Sequence, residues 1–410
     1  MIALLIATII ILTLIYSTYK KKIGYILSLF LVFPYLLPTT LIEAGFIPHA
    51  LLVRLSFFLV VLAISIDYKN KQFNLLNNPV GISYLALIFS IIYFNSTSDY
   101  NYNFEFSDFY ISLLLYNFIP FFIGLYLTNS KERIKGFVFS ISIWATLYIV
   151  FIITYTNFAN INYLDRFSFV DETGFDTITT SRLSAIILIS SLLMLKTKKL
   201  LLLTIPLLIS STFLLLITGQ RGTLLGIIFC IAIYYIFSKY STIKNIIYKI
   251  SIITVIIALF TFIDLNKFEV FNRFSELKDY ESFERYQDYF EVWEIFESNS
   301  FVFGEGSLGY YFLTGRVYPH NIVLEAIVDY GLLGFVSIVI MIIYGLIYSI
   351  KLIRFNEYDI NNQVVAYIWI MLLISVLVSG SFVSNSIFFI FTGILVNCYK
   401  TSNIQKLNAE

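Results

Sequence analysis

Long apolar runs recur along almost the whole chain, and in every second connection between them lysine and arginine cluster. Several runs reach the roughly 18 to 20 apolar residues that a helix needs to cross a bilayer core about 30 Å thick. The alternating pattern of barrel strands is absent from the sequence. With 59% hydrophobic and 13% charged residues and a mean hydropathy of +0.83, the chain has more apolar surface than a water-soluble globule can hide. The expected fold is all-α: a polytopic helical membrane protein.

The candidate spans are Ile2–Tyr19, Ile23–Ala44, Ala50–Ile66, Val80–Phe94, Phe109–Leu127, Phe137–Tyr155, Ser181–Leu195, Leu200–Thr218, Thr223–Phe237, Ile246–Ile263, Ile322–Ile350, Val364–Val378 and Phe382–Val396. No small-residue cleavage site follows the first, so it reads as a retained helix. The basic clusters are Lys20–Lys22, Lys69 and Lys71, Lys131 with Arg133 and Lys135, Lys196 with Lys198 and Lys199, Lys239 and Lys244, Lys351 and Arg354, then Lys400 and Lys406. Basic residues in short loops stay on the cytoplasmic side, which predicts about 12 to 13 helices with the N-terminus outside and the C-terminus inside. The intervening loops, Glu43–His49, Asn95–Asp108, Asn157–Arg182 and Asn266–Asn321, are acidic, aromatic and poor in lysine, and are expected to face outward. Three regions follow: a transmembrane bundle over 1–264, a large extracytoplasmic loop over 265–321, and C-terminal transmembrane helices with a short cytoplasmic tail over 322–410. Cys230 and Cys398 sit in or beside apolar runs and read as packing residues. The basic residues form no single patch, and the net charge is only +1, so nothing points to a nucleic-acid partner.

The polar residues hardest to explain by packing lie on the predicted outer side. Thr218-Gly219-Gln220-Arg221-Gly222 forms a tight turn between two helices and leaves Arg221 at the outer end of the bundle, where a guanidinium fork suits two phosphate oxygens or simply snorkels. Arg54 and His49 read as interface residues. The interval Asn157–Arg182, with Arg166, Asp171, Glu172, Asp176 and Arg182, can receive a sugar through hydrogen bonds or remain solvated. Ser275–Ser298 places Leu277, Tyr280, Phe283, Tyr286, Phe290, Trp293 and Phe296 at spacings of three or four, which is an amphipathic helix lying on the bundle or at the interface. Its acidic residues disfavour adhesion to anionic lipid. Gly304-Glu305-Gly306 and Gly309 then form a turn, and Pro319 stops local helix before His320. An imidazole near a helix start is kept neutral and able to accept a proton, although a capping role explains the same placement. Gly331 and Gly334 have a bland explanation in close helix packing. No metal-ligand cluster, nucleotide-phosphate loop or G-x-S-x-G nucleophile occurs, and no cofactor is expected.

Arg221 in GQRGTLL, Arg285 ahead of Trp293, Gly304-Glu305-Gly306, and His320-Asn321 followed by nine residues and Gly331-Leu332-Leu333-Gly334 resemble the family of bacterial O-antigen polymerases and O-antigen ligases. The likeness covers roughly the second half. It implies a GT-C-like bundle in the cell inner membrane and a glycosyltransferase that uses an undecaprenyl-diphosphate-linked glycan at the outer face. By resemblance, Arg221 binds the diphosphate and His320 activates the acceptor, with Arg285, Arg316, Arg182 and Asn321 as further substrate-binding candidates. The loop Asn157–Arg182 departs from the arginine-to-glycine spacing of some polymerases. Implied partners are lipid-linked donor and acceptor oligosaccharides, the bilayer and a chain-length regulator. The expected function is polymerisation of repeat units into an O-antigen or capsular chain. The rivals are a ligase that moves the glycan to lipid A core and, in another class, a flippase for the same lipids. Against the flippase, repeated halves are missing and the candidate residues gather at one surface rather than near the midplane.

Overall fold

The structure, a computed structural model, describes residues 78–97, 117–127, 131–155, 177–194, 201–218, 220–237, 284–298, 302–307, 309–316, 318–355, 359–382 and 385–407. The predicted runs Ile2–Tyr19, Ile23–Ala44, Ala50–Ile66 and Ile246–Ile263 lie outside the described residues, as does most of the interval Asn157–Arg182. Among the described residues there are eleven helices and no strand. They are α1 (Pro79–Thr97), α2 (Ile119–Leu127), α3 (Lys131–Tyr155), α4 (Thr177–Met194), α5 (Leu201–Ile217), α6 (Arg221–Phe237), α7 (Glu284–Ser298), α8 (Gly309–Thr314), α9 (Ile322–Phe355), α10 (Ile360–Ser379) and α11 (Ser386–Leu407). Within α9 and α10, Ile322–Arg354 and Ile360–Ser379 are long and apolar enough to cross a membrane. The protein is a helical membrane protein.

The centre of the bundle is α10. Its apolar residues run all round the helix, and it is correspondingly buried on all sides, with Val364, Ala366, Trp369 and Leu372 fully enclosed. It is flanked by α4, α6, α9 and α11, while α1 lies along α9, α2 along α11 and α5 along α4. An Asp359 carboxylate caps its start by accepting from Asn361 N–H at 3.2 Å. Close approach is needed where α2 crosses α11. A Cβ on Gly393 would come within 2.6 Å of Leu125 N, so only a hydrogen fits there. Hydroxyls inside the bundle return to their own helix: Ser90 donates to Leu87 O at 2.7 Å and Thr392 to Phe388 O at 2.8 Å.

Two helix starts differ from the expectation in a way that bears on function. α4 begins at Thr177 rather than Ser181, and α6 at Arg221 rather than Thr223. Hydropathy ends a run at its first polar residues, whereas helical hydrogen bonding continues through them. Arg182 is therefore in the second turn of α4 and not in a loop.

α9 is broken near its start. Gly331 has φ 59° and ψ −157°, so the helix stops and restarts there. The break detaches the carbonyls of Val328 and Asp329 from the next turn, and the segment Val302–Ser307 supplies the missing partners. Glu305 N–H donates to Val328 O and Gly306 N–H to Asp329 O, both at 2.8 Å, while Leu332 N–H donates to Val302 O at 3.3 Å. Buried backbone groups must find partners, and here a loop finds them for a helix. Gly304, at φ 69°, crosses Gly331 at backbone contact: a Cβ on Gly304 would meet Asp329 O at 2.7 Å. The Gly-Glu-Gly loop and the glycine of α9 are two halves of one joint.

Candidate functional site

His320 stands just outside the N-terminus of α9, half-buried, in the left-handed region at φ 51°. Histidine is one of the few side chains enriched there. Its ring meets Tyr318 edge-on at 4.6 Å, and its carbonyl accepts from Gly380 N–H at 3.4 Å. Asn321 follows as the helix cap, its Oδ1 accepting from Val323 N–H at 2.9 Å and Leu324 N–H at 3.4 Å. The structure thus gives Asn321 a local role in starting α9.

One turn further in, the buried Glu325 reaches the segment after α10. Its Oε2 accepts from Phe382 N–H at 2.9 Å and its Oε1 from Ser381 Oγ–H at 3.2 Å. The same segment is held from α4. Arg182, 3% exposed, donates Nε to Ser375 Oγ at 3.0 Å, Nη1 to Asn385 Oδ1 at 2.6 Å and Nη2 to Ser379 O at 3.2 Å. Asn385 Nδ2 in turn donates to Ser381 O. Sequence reasoning missed Glu325, Ser375 and Asn385. A signal existed for the first: Glu325 and Asp329 are two acids four residues apart in the opening turns of an apolar helix.

Arg221 is the buried first residue of α6. Gln220 caps that helix, its carbonyl accepting from Leu224 N–H at 3.2 Å, and its Nε2 donates to Thr177 Oγ1 at 3.4 Å. The starts of α4 and α6 are thereby tied together. Thr223 Oγ1 lies 3.4 Å from Ser375 Oγ, and a Cβ on Gly222 would touch Val378 Cβ at 3.0 Å. Arg221 and His320 are thus each registered to the C-terminal end of α10, one through Gly222 against Val378 and the other through Gly380. The structure brings Arg182, Arg221 and His320 to the same end of the bundle.

Arg316 is directed elsewhere. Its Nη1 pairs with Asp288 Oδ1 at 2.7 Å, and its Nη2 donates to Gln287 Oε1 at 2.8 Å and lies 3.6 Å from Glu291 Oε1. The hydrogen bond to Asp288 raises its already high pKa, so it is a fixed cation that fastens α7. Tyr310 completes the fastening: its hydroxyl is 3.0 Å from Asp288 Oδ1 and 3.1 Å from Glu291 Oε2, and its N–H donates to Asp329 Oδ1 at 3.1 Å. Burial, then the charge of Asp288, pushes the phenol above its ordinary range, so it stays a proton donor. Arg285 lies in the first turn of α7, and its side chain is outside the described residues. Among the described residues no group of three or more His, Cys, Asp or Glu side chains is arranged to hold a metal ion.

The site as built is a polar end to an apolar bundle. It has a half-buried imidazole at one helix entrance, a buried arginine at another and a buried carboxylate and guanidinium immobilising the segment between them. Such a place can hold an anion and accept a proton. No curated protein sequence matches the chain. Residues 205–339 match the family model described as O-Antigen ligase. Arg221, Arg316 and His320 all lie inside the matched segment, which supports a likeness of this part of the chain to the O-antigen ligase and polymerase family.

Proposed function

We propose that this protein is a polymerase that joins oligosaccharide repeat units carried on undecaprenyl diphosphate, at the outer face of the inner membrane. The observation that supports it is the common registration of Arg221 and His320 to the end of α10. A hydroxyl of the acceptor unit attacks the anomeric carbon of the donor. The new C–O bond forms as the bond from that carbon to the diphosphate oxygen breaks, with inversion. His320 takes the hydroxyl proton. Arg221 neutralises the charge that collects on the leaving diphosphate, for which one preorganised donor is typically worth about 3 to 4 kcal/mol. Arg182 acts on the diphosphate side of the site, while Asn321 positions the entrance to α9. Arg316 fastens the outer helix that borders the site, Arg285 is a substrate-binding candidate by resemblance alone, and a chain-length regulator is a further partner.

A ligase reading is favoured by the family description and fits the same spacing from His320-Asn321 to Gly331 and Gly334. The acceptor separates the two. Cells lacking the protein are complemented with wild type, Arg221→Ala or His320→Ala, with membrane expression verified, and their glycolipids are profiled. The expected result is a core carrying one repeat unit, restored to a ladder by wild type alone. Unsubstituted core with long carrier-linked glycan makes the protein a ligase. A full ladder from both well-expressed variants removes Arg221 and His320 from the site.

A further inference from the structure

The outer helix α7 presents three different flanks. At about 100° per residue, Asp288, Val292 and Ile295 fall together, and this is the side that meets Tyr310 and Val328. Tyr289, Phe290 and Trp293 form a second flank, with Phe290 56% and Trp293 57% exposed. Gln287, Glu291 and Glu294 form the third, where Arg316 is fastened. These exposures leave the aromatic flank of α7 largely accessible on the side away from Tyr310 and Val328.

The level of this unit along the bundle normal follows from α9. The rise from Gly331 to Lys351 is about 30 Å at 1.5 Å per residue, which is the thickness of a hydrocarbon core. Lys351 is exposed, bonded to Tyr399 Oη at 3.0 Å, and marks one boundary of the bilayer. Gly331 and the loop joined to it then mark the other. At that joint Val302 and Phe303 are exposed, Phe303 at 56%, beside the exposed Leu332 and Leu333 on the outside of α9. The open aromatic surface of α7 and the loop thus continues the apolar outer surface of a membrane-crossing helix.

We propose that α7 and the Val302–Thr314 segment lie in the boundary layer of the outer leaflet, with Phe290, Trp293 and Phe303 immersed in lipid and the Glu291–Glu294 flank facing water. The occupant of the open surface is the lipid itself. Acidic residues on the adjoining flank mean that aromatic burial, not attraction to anionic headgroups, holds the unit there. The placement puts the polar end of the bundle at headgroup depth, where a lipid-borne diphosphate lies, and it does not depend on which glycan is transferred.

The test uses full-length protein carrying Cys230→Ala and Cys398→Ala, with a single cysteine at Tyr289, Phe303 or, as the water-side control about 140° round the helix from Tyr289, Glu294. Each is labelled with an environment-sensitive fluorophore and reconstituted in phosphatidylcholine vesicles. Nitroxide lipid labelled near the headgroup should quench positions 289 and 303 at least about two-fold more than 294, with iodide showing the reverse order. Replacing part of the phosphatidylcholine by phosphatidylglycerol should leave the pattern unchanged. Equal iodide access at all three positions with no nitroxide quenching overturns the proposal, and so does energy transfer between labelled copies, which would make the occupant a second chain. The unlabelled protein gives an independent check. Brominated lipid should quench a component of the tryptophan emission that Trp293→Phe removes, and an unquenched Trp293 component refutes the placement even if the cysteine variants fail to fold.

Discussion

Gly331→Ala tests whether the break in α9 and the Gly-Glu-Gly loop form one joint. At φ 59° and ψ −157° the residue occupies a region essentially reserved for glycine, and another residue there costs about 1 to 3 kcal/mol. The new methyl also meets Val302 O at 2.5 Å, Gly304 N at 2.7 Å and Phe303 C at 2.7 Å. All three are backbone atoms that no rotamer change can move aside, and overpacking of this kind adds about 1 to 3 kcal/mol. Together the two effects amount to roughly 2 to 6 kcal/mol, or between one and four powers of ten in the equilibrium for opening the joint. The cheapest relief is for the loop to leave α9. Hydrogen exchange of the purified protein in nanodiscs should then show the Glu305 and Gly306 amides, which donate to Val328 O and Asp329 O, losing at least about 30-fold in protection. Gly315→Ala is the control, because Gly315 shares the positive φ, at 73°, with nothing within 4 Å of its added methyl. Strain alone, about 1 to 2 kcal/mol, should act on Gly315 and leave the 302–307 amides protected. Retained protection at Glu305 and Gly306 in Gly331→Ala, or equal exposure in both variants, refutes the joint.

Asn321→Ala removes the cap of α9 and should cost about 1 kcal/mol, seen as faster exchange at Val323 and Leu324, with Asn321→Asp restoring it. Glu325→Ala leaves the Phe382 N–H buried without its acceptor, at about 1 to 3 kcal/mol, and should lower the melting temperature in detergent. Glu325→Gln can still offer an oxygen to Phe382 and an N–H to Ser381 and should lose less. Tyr310 has a folded-state pKa above its ordinary value near 10. Its contribution is therefore fully present below about pH 10 and is lost as pH rises through the folded value. Exchange in α7 should increase on the alkaline side of pH 10 in wild type, whereas Tyr310→Phe should be less protected at neutral pH and show no such alkaline step.

What the sequence disclosed was the part governed by periodicity and punctuation. The run Leu200–Thr218 predicts α5 to within a residue at each end, and Ile322 is the start of α9 in both. The placement of His320 at that helix entrance was also legible, because Pro319 and the polar Asn321 mark a start whatever the rest of the fold does. Arg182 was not legible. Its partners Ser375, Ser379 and Asn385 are 193 to 203 positions away, and a hydropathy window has no means of seeing a guanidinium satisfied at that distance. Gly331 was visible as a glycine but not as a break, since small residues at close helix contacts give the same pattern. Glu325 escaped for a related reason: although Asp329 follows it by one turn, an acid at the head of an apolar run looks like a favourable first-turn charge until the Phe382 N–H is seen against it.

The division between fixed and yielding parts of the site follows from which polar groups are buried. Arg182 and Glu325 both bond the segment that follows α10, Arg182 through Ser379 and Asn385 and Glu325 through Ser381 and Phe382. Leaving a buried polar group without its hydrogen-bond partner costs about 1 to 3 kcal/mol, so the segment is restrained from both sides. His320 takes its register from Gly380 within that segment, and Gly222, next to Arg221, packs against the adjoining Val378. On the proposed function these are the conditions for preorganisation: the candidate groups Arg221 and His320 adjoin a segment held from two sides. The covering unit is held differently. Arg316, with its side chain 34% exposed, fastens α7 to the buried Asp288 and to the partly exposed Glu291, and a pair open to water, like the second, contributes only about 0 to 1 kcal/mol. On the proposed function, room for a bulky glycan is expected to come from α7 and its loop. The floor formed by α4, α6, α9 and α10 is expected to hold, with the joint at Gly304 and Gly331 as the boundary.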